Sequence, residues 1–567
     1  MIKSSSKISE ICANHPILCT VISALCWFSF CAAEMYHGAK EFYFIDTDCY
    51  TRYLRIIDWL TTDFSWYEKI FPFTNCPYGE ILHFTRINDL LWLIFSLPFM
   101  AFFPLKEAIF AGGMIFSPIL FILTLSLVMC GLKKYIGAKN FTKPSLFIFV
   151  FSFIFLLKSM VFNFGRPDHH SLMILITAFA SLNLLNISKK NMFWSGIAAA
   201  LGIWASSAFE GMLLAYIILA ILVIGILFYK HSFDYAFYYS LGMFAGVAVS
   251  YALNPPYEGY LYFDNARLSL IHVAVCAFTF LVFAVCKYYN PEKLWQKISA
   301  ISGGAIISFA LLLSIFGVNS VFAPVYDEKI TKYFIPYVAE MTPILAHECM
   351  YFIFGSIEAF LLYRCFNRKK FGDIALYTMF FLYLPVAIFI RRFMPYGILF
   401  FIFLNACMLA ELFKKISKSE KYKWATLICI SLNLVSALSF TYEVIPTKVS
   451  YPQLNGCALT DTFFAPQLIY KTGVKTISSP YHRNVDGITD TVEIFTLQDE
   501  TQILNRLAQR NVKYIIIPNE QQGYKKEHLK KYKKNSFYRL LQDGHNYNWL
   551  KLLNDKDEIY LFYEVIR

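Results

Sequence analysis

Long apolar runs separated by short, lysine-bearing joints fill the first three quarters of the chain, and the pattern stops near Glu443. A helix crossing the hydrocarbon layer needs ~20 apolar residues. The runs that suit lie near residues 17–33, 108–131, 145–163, 171–188, 192–207, 211–229, 235–253, 268–286, 299–317, 349–366, 374–390, 394–412 and 424–441. The stretch Leu90–Phe103 is shorter and carries Pro98, with Pro104 after it, so it reads as an interfacial or re-entrant helix. The sequence therefore predicts a mainly α fold, a polytopic bundle of about 13 membrane helices. Lysine and arginine positions orient it. With the N-terminus cytoplasmic, the inside joints hold Lys133, Lys134, Lys139 and Lys143, then Lys189 and Lys190, Lys230, and Lys287, Lys293 and Lys297. Arg364, Arg368, Lys369, Lys370, Lys414, Lys415, Lys418, Lys421 and Lys423 follow on the same side, as positive-inside bias requires.

The tail after the last run is polar and runs to Arg567, roughly 125 residues, enough for one small domain. Val474–Ser478, Val512–Ile517 and Glu558–Val565 have strand composition, and Thr501–Arg510 places Ile503, Leu504 and Leu507 on one helical face. The expected organisation is a membrane domain over 1–442, with a first outside loop at about 34–107, and a small soluble α/β domain over 443–567 on the outside face.

Composition changes this picture little. Of 567 residues 57% are hydrophobic, and Phe 57 and Tyr 38 are high counts that suit bilayer interfaces. The formal net charge of +12 is spread over short clusters between apolar runs rather than one stripe, which argues for membrane orientation and against nucleic acid. The 14 cysteines are scattered without a CxxC pair and read as small core residues. Cys49 and Cys76 fall in the first outside loop and are read as free thiols, a disulfide being the alternative. The first apolar run follows Lys3 and Lys7 but lacks a small-residue cleavage site, so it reads as an uncleaved span. The expected location is the cell (inner) membrane, with an extracytoplasmic C-terminal domain.

Candidate chemistry gathers at the outside joints. Asp46 and Asp48 precede Arg52 and Arg55 in the first loop; paired carboxylates followed by arginines suit a divalent metal held against a phosphate. The plain alternative is an N-cap before a helix. Arg166-Pro167-Asp168-His169-His170 places a carboxylate and imidazoles at a second outside joint, and the mixed oxygen–nitrogen set leans towards Mn²⁺ over Mg²⁺. Glu340 lies in the loop Tyr337–Pro343, with Glu210, Asp264, Asp327 and Glu328 as rival carboxylates. Arg391-Arg392 breaks the positive-inside pattern, which points to an anionic ligand. Pro77–Arg86 reads as a turn and an aromatic–basic interfacial stretch. No GxSxG, P-loop or GxGxxG stands in the context that motif needs.

In order and sidedness these motifs resemble the catalytic subunit of oligosaccharyltransferase, a membrane glycosyltransferase of the GT-C class. Ile45-Asp46-Thr47-Asp48 with Arg52 resembles its first acidic motif, and Gly165-Arg166-Pro167-Asp168-His169-His170 the Asp-x-His form of its second. Val338-Ala339-Glu340-Met341-Thr342-Pro343 is similar to its loop glutamate motif, and Arg391-Arg392 matches the place of an arginine near the sugar-lipid site. The likeness covers about residues 15–441. It implies sugar transfer from a polyprenyl (di)phosphate to an acceptor protein or glycan. Asp46, Asp48, Asp168 and His170 would hold Mn²⁺ or Mg²⁺, Asp46 and Glu340 would be catalytic, and Arg52, Arg391 and Arg392 would bind the donor phosphate. The tail departs from the family in having no Trp-Trp pair, the start of the motif that grips a sequon hydroxyl, so the acceptor stays open. The alternatives are a GT-C transferase that uses a polyprenyl-monophosphate sugar on a lipid or glycan, and a lipid-linked sugar transporter. No paired Gly/Pro-broken spans recur in two halves, which weighs against transport.

Overall fold

Each of the thirteen apolar runs holds a helix in the computed structural model, though the run 145–163 is helical only as far as Lys158; the structure describes residues 2–30, 43–62, 66–67, 69–82, 85–207, 209–345, 348–438, 450–520, 527–554 and 558–566. The ends of the first and last runs, 31–33 and 439–441, and parts of the first outside loop lie outside the described residues. Among the described residues seven helices are long and apolar enough to cross a membrane, including Leu105–Ile136, Glu210–Phe228, Phe233–Leu253 and Phe371–Phe389. Lys7–Asn14 and Pro16–Cys26, bent by 104°, make an eighth if taken as one span, while Ser145–Lys158 and His169–Leu185 are apolar but short. Leu90–Phe103 lies largely within the helix Arg86–Met100, which carries Pro98.

The chain divides into two units. The first, Met1–Lys40, Thr85–Ala323 and Thr342–Tyr442, is the helical bundle. Its helices begin where side chains can cap them: Ser188 Oγ accepts from the Asn191 amide, and Ser232 Oγ from the Asp234 amide. Helices Lys189–Ala205 and Phe233–Leu253 touch through glycine. A Cβ on Gly196 would fall 2.0 Å from the Tyr239 carbonyl oxygen, and one on Gly242 2.2 Å from that of Phe193. Such close backbone approach lets helices pack where lipid supplies no hydrophobic drive. Burial differs sharply among helices. The window through Arg391–Lys418 is 94% buried, whereas that of Leu294–Phe316 is 6% buried.

The second unit, Glu41–Phe84, Pro324–Met341 and Glu443–Arg567, is α/β. A hairpin pairs β1 (Ile70–Phe71) with β2 (Glu80–Ile81). The main sheet comprises β3 (Cys457–Thr460), β4 (Lys475–Thr476), β5 (Val512–Pro518), β6 (Leu550–Leu552) and β7 (Tyr560–Val565). Its order is β4-β3-β5-β7-β6, with β4, β3 and β5 parallel and β7 and β6 antiparallel to their neighbours. The predicted strands near 474, 512 and 558 and the helix near 501 are present; the helix is Glu500–Gln509, with Ile503 and Leu507 buried. Strands β3 and β6 and the helices Ala465–Thr472 and Val485–Thr496 were not expected. Cys457-Ala458-Leu459-Thr460 is only four residues, too short to show an alternation. The helix Thr47–Thr61 belongs to this unit and packs Tyr50 and Tyr53 against Tyr470, with ring centroids 5.1 and 5.0 Å away.

Candidate functional site

In the helical unit the second acidic motif builds a compact polar cluster. Pro167 cannot donate to a preceding turn, and Asp168 then caps the helix His169–Leu185 from an extended conformation. The turn is fixed from behind: Ser171 Oγ donates to the Asp168 carbonyl at 3.0 Å, and Ser117 Oγ to the Arg166 carbonyl at 2.5 Å. One carboxylate oxygen of Asp168, Oδ1, lies 2.6 Å from both the His169 amide and His169 Nδ1. The other, Oδ2, is 3.3 Å from His170 Nε2.

Glu210, 1% exposed at the start of the helix Glu210–Phe228, closes the cluster. Its Oε1 is 3.3 Å from His170 Nδ1, and Ser206 Oγ donates to its Oε2 at 2.8 Å. Arg392, in the turn before the buried helix Met394–Lys415, donates through Nε to Glu210 Oε1 at 3.1 Å and through Nη2 to Oε2 at 3.3 Å. Arg392 Nη2 also lies 2.8 Å from His169 Nε2. A guanidinium only donates, so His169 Nε2 accepts and its Nδ1 carries the proton given to Asp168. His170 is thus bracketed by two carboxylates. Two carboxylates against one guanidinium leave the cluster net negative when both rings are neutral.

Asp168, His169 and His170 each offer a ligand atom within 4.8 Å of the others. Metal bonds of ~2.0–2.2 Å place ligand atoms at most ~4.4 Å apart, close to the separations here, and mixed imidazole–carboxylate sets suit Mn²⁺, Fe²⁺ or Zn²⁺. The donor set fits a divalent ion once the His169 Nδ1 proton is given up, since a ligating imidazole nitrogen must be deprotonated. His169 and Glu210 were not singled out in the sequence reading as ligands. His169 is adjacent to the motif, and Glu210 is a carboxylate at a span start, the one available signal.

The paired arginines find protein partners. Arg391 Nε and Nη2 donate to Glu348 Oε1 at 2.9 and 2.5 Å, and its amide to the Thr342 carbonyl at 2.8 Å. Glu348 is 1% exposed, and its Oε2 takes the Leu345 amide at 2.8 Å. The charge anomaly that pointed to an anionic ligand is thus met by Glu348 and Glu210. The side chains of Arg391 and Arg392 stay 30% and 26% exposed.

The second unit carries the other candidates. Asp46 caps the helix Thr47–Thr61, its Oδ1 accepting from the Asp48 amide at 3.2 Å, so the capping reading of this aspartate holds whatever else it does. Asp46 and Glu340, the latter in the 3-10 turn Ala339–Met341, are both half-buried and bring carboxylate oxygens within 4.8 Å of one another. Asp48, in the first helical turn, joins no group of three or more such ligands among the described residues. Arg52 and Arg55 are buried on the same helix.

No family model and no curated protein matches the chain. Solved structures do. The archaeal oligosaccharyltransferase AglB from Archaeoglobus fulgidus, in complex with an inhibitory peptide and a dolichol-phosphate, superposes with a TM-score of 0.62 at 18% identity, over 84% of this chain and 66% of that one. The A. fulgidus oligosaccharyltransferase in complex with Zn and sulfate gives 0.57 at 17% identity, over 84% and 64%. The same enzyme tethered by a disulfide to an acceptor peptide containing the NVT sequon gives 0.60 at 16% identity, over 91% and 70%. The chain spans about two thirds of the length of these structures. At such identity the likeness establishes the fold: this chain has the fold of an archaeal oligosaccharyltransferase, a polytopic helical unit with a small α/β unit.

Proposed function

We propose that the chain is a metal-dependent membrane glycosyltransferase of oligosaccharyltransferase type, moving a sugar or oligosaccharide from a polyprenyl (di)phosphate to an acceptor on the outer face of the cell membrane. The observation that carries this reading is the Asp168–His169–His170 group, a metal-fitting donor set with the partly exposed Arg392 guanidinium against it, on the fold of a solved oligosaccharyltransferase. Asp46, Asp48, Asp168 and His170 are the proposed ligands of one Mn²⁺ or Mg²⁺. Bound there, the ion would neutralise charge on the departing diphosphate. Asp46 and Glu340 orient or activate the acceptor nucleophile, and Arg391, Arg392 and Arg52 hold the donor phosphate. Arg392 reaches His169 and Glu210 together, which ties donor binding to the placement of the metal-ligating motif.

A labelled polyprenyl-linked donor, offered peptide and glycan acceptors with Mn²⁺ or with chelator, tests the reaction. Metal-dependent transfer to peptide fits the proposal. Transfer to glycan or lipid only would instead mark a GT-C enzyme with another acceptor. Donor movement across vesicles without transfer would mark a transporter. For orientation, cysteines introduced at Lys189 or Lys369 should resist labelling from outside, and labelling of either would refute a cytoplasmic N-terminus.

A further inference from the structure

Cys76 and Cys457 are far apart in sequence yet belong to one buried apolar cluster in the second unit, with Leu459, Ile477 and Val512. The backbone brings them there. Strand β4 has β3 on one side only, and an open edge invites pairing. The loop after β1 covers it: the Thr476 amide donates to the Phe73 carbonyl at 2.9 Å, and the Cys76 amide to the Thr476 carbonyl at 3.0 Å. Cys457 opens β3, in register with Lys475, the neighbour of Thr476. Arg510 Nη1 clasps the loop further, donating to Asn75 Oδ1 at 2.9 Å and to the Cys76 carbonyl at 3.3 Å, while Asp490 pairs with its Nε at 2.6 Å. Both side chains are buried in that cluster, Cys76 5% and Cys457 3% exposed.

We propose that Cys76 and Cys457 form a disulfide that staples the first loop to the edge of the sheet in the second unit. This rests on the outward placement proposed above, because disulfides persist in oxidising compartments. In the folded unit the neighbouring Cys457 thiol, Lys475 and Arg510 favour the Cys76 thiolate, against the opposing effect of burial, while the Cys76 thiol and burial raise Cys457. Before the loop docks these influences are absent and either thiol can attack first. When Cys76 is the attacker, its thiolate displaces one sulfur of a disulfide-bearing oxidant to give a mixed disulfide. The Cys457 thiolate then attacks Cys76 Sγ and expels the second sulfur. Two thiols give up two protons and two electrons, and the oxidant's disulfide becomes two thiols. Both sulfurs are nearly inaccessible in the folded unit, so the exchange takes place before the loop docks.

The full chain, isolated from membranes with thiols trapped by alkylation in denaturant, is digested with and without reductant and analysed by mass spectrometry. A Cys76–Cys457 linked peptide that vanishes on reduction, and is missing from both Cys76→Ser and Cys457→Ser, is the expected result. A second arm refolds reduced protein with 2,2′-dipyridyl disulfide. Linkage in this arm alone keeps the pair and overturns the outward placement. No linkage in either arm overturns the disulfide. A Cys49→Ser variant should link as the parent does; a Cys49–Cys76 peptide in the parent in place of the Cys76–Cys457 one would overturn the pairing.

Discussion

Two groups of carboxylates, one in each unit, handle charge in opposite ways. In the helical unit Asp168 and Glu210 are buried but surrounded by two imidazoles, a guanidinium and a hydroxyl. In the second unit Asp46 and Glu340 sit half-exposed with like-charged oxygens within 4.8 Å. Two carboxylates so close repel unless a proton or a cation intervenes. A buried group whose members bond one another is held in shape by its own contacts. Two carboxylates that approach closely need a proton or positive charge nearby, from the protein or from an ion, so their spacing answers to whatever supplies it. The first kind of group presents its side chains already in place, and the second kind adjusts to the charge around it.

The sharpest way to break that comparison is to neutralise one carboxylate on each side. Asp46→Asn keeps an equally good N-cap, so the helix Thr47–Thr61 should persist. Transfer should nonetheless fall on the order of 10²–10³-fold, the scale for losing one charge-stabilising group. Asp168→Asn should lose as much activity and also lower the unfolding midpoint, because its amide keeps one accepting oxygen but loses the charge that faces both histidines. An Asp46→Asn enzyme with undiminished transfer would make the pair an ordinary loop feature.

Next comes the guanidinium. Arg392→Gln leaves Glu210, 1% exposed, without its ion-pair partner. Breaking such a pair costs about 2–5 kcal/mol, at the low end here since Arg392 is partly exposed. Chemical denaturation should show this drop, and Glu210→Gln in the same chain should recover part of it, as groups in one network do not add. A stability unchanged by Arg392→Gln, with donor binding lost, would assign the arginine wholly to the ligand.

How much of this was legible follows from the same contrast. The apolar runs that become helices could be read because lipid demands length and apolarity, which sequence displays directly. Asp168 and His170 could be read because polar groups at span ends stand out against Leu and Phe. Glu210 and Glu348 drew less notice, since a lone Glu at a helix start looks like an ordinary N-terminal charge. Only the fold reveals that each one answers an arginine some 180 or 40 residues away (Arg392 and Arg391). In the second unit β3 and β6 were hard to read for another reason. Each is only three or four residues long and is held by pairing with another strand, β3 with β5 and β6 with β7, rather than by a local pattern.

A smaller change tests the chemistry of the mixed cluster. His170→Asp converts an imidazole donor to an oxygen, so the metal preference should move from Mn²⁺ towards Mg²⁺. A shift of about tenfold in the ratio of activation constants, within the range for altered metal surroundings, is expected in a metal titration of transfer. An unaltered ratio would remove His170 from the ligand set.

A third carboxylate sharpens the comparison most finely. Glu80, on β2 in the second unit, is buried like Glu210, yet its Oε1 meets only hydroxyls, those of Thr74 and of Ser479 at 3.0 Å. Among the described residues its Oε2 has no hydrogen-bond partner. Burial raises its pKa to about 7, against the lowering effect of the two hydroxyls. The unfolded glutamate titrates near 4.3, so between those values the folded chain holds the extra proton. Stability is therefore greatest below the unfolded value, falls as pH rises through the window, and levels off above about 7. The slope from this group is at most about 1.4 kcal/mol per pH unit. Glu80→Gln stays neutral and keeps a hydrogen-bonding oxygen for Thr74 and Ser479, so it should flatten that part of the profile, read as unfolding midpoint between pH 5 and pH 8. An identical slope in the variant would mean that Glu80 is ionised in the folded unit throughout, and that hydroxyls alone can hold a buried carboxylate.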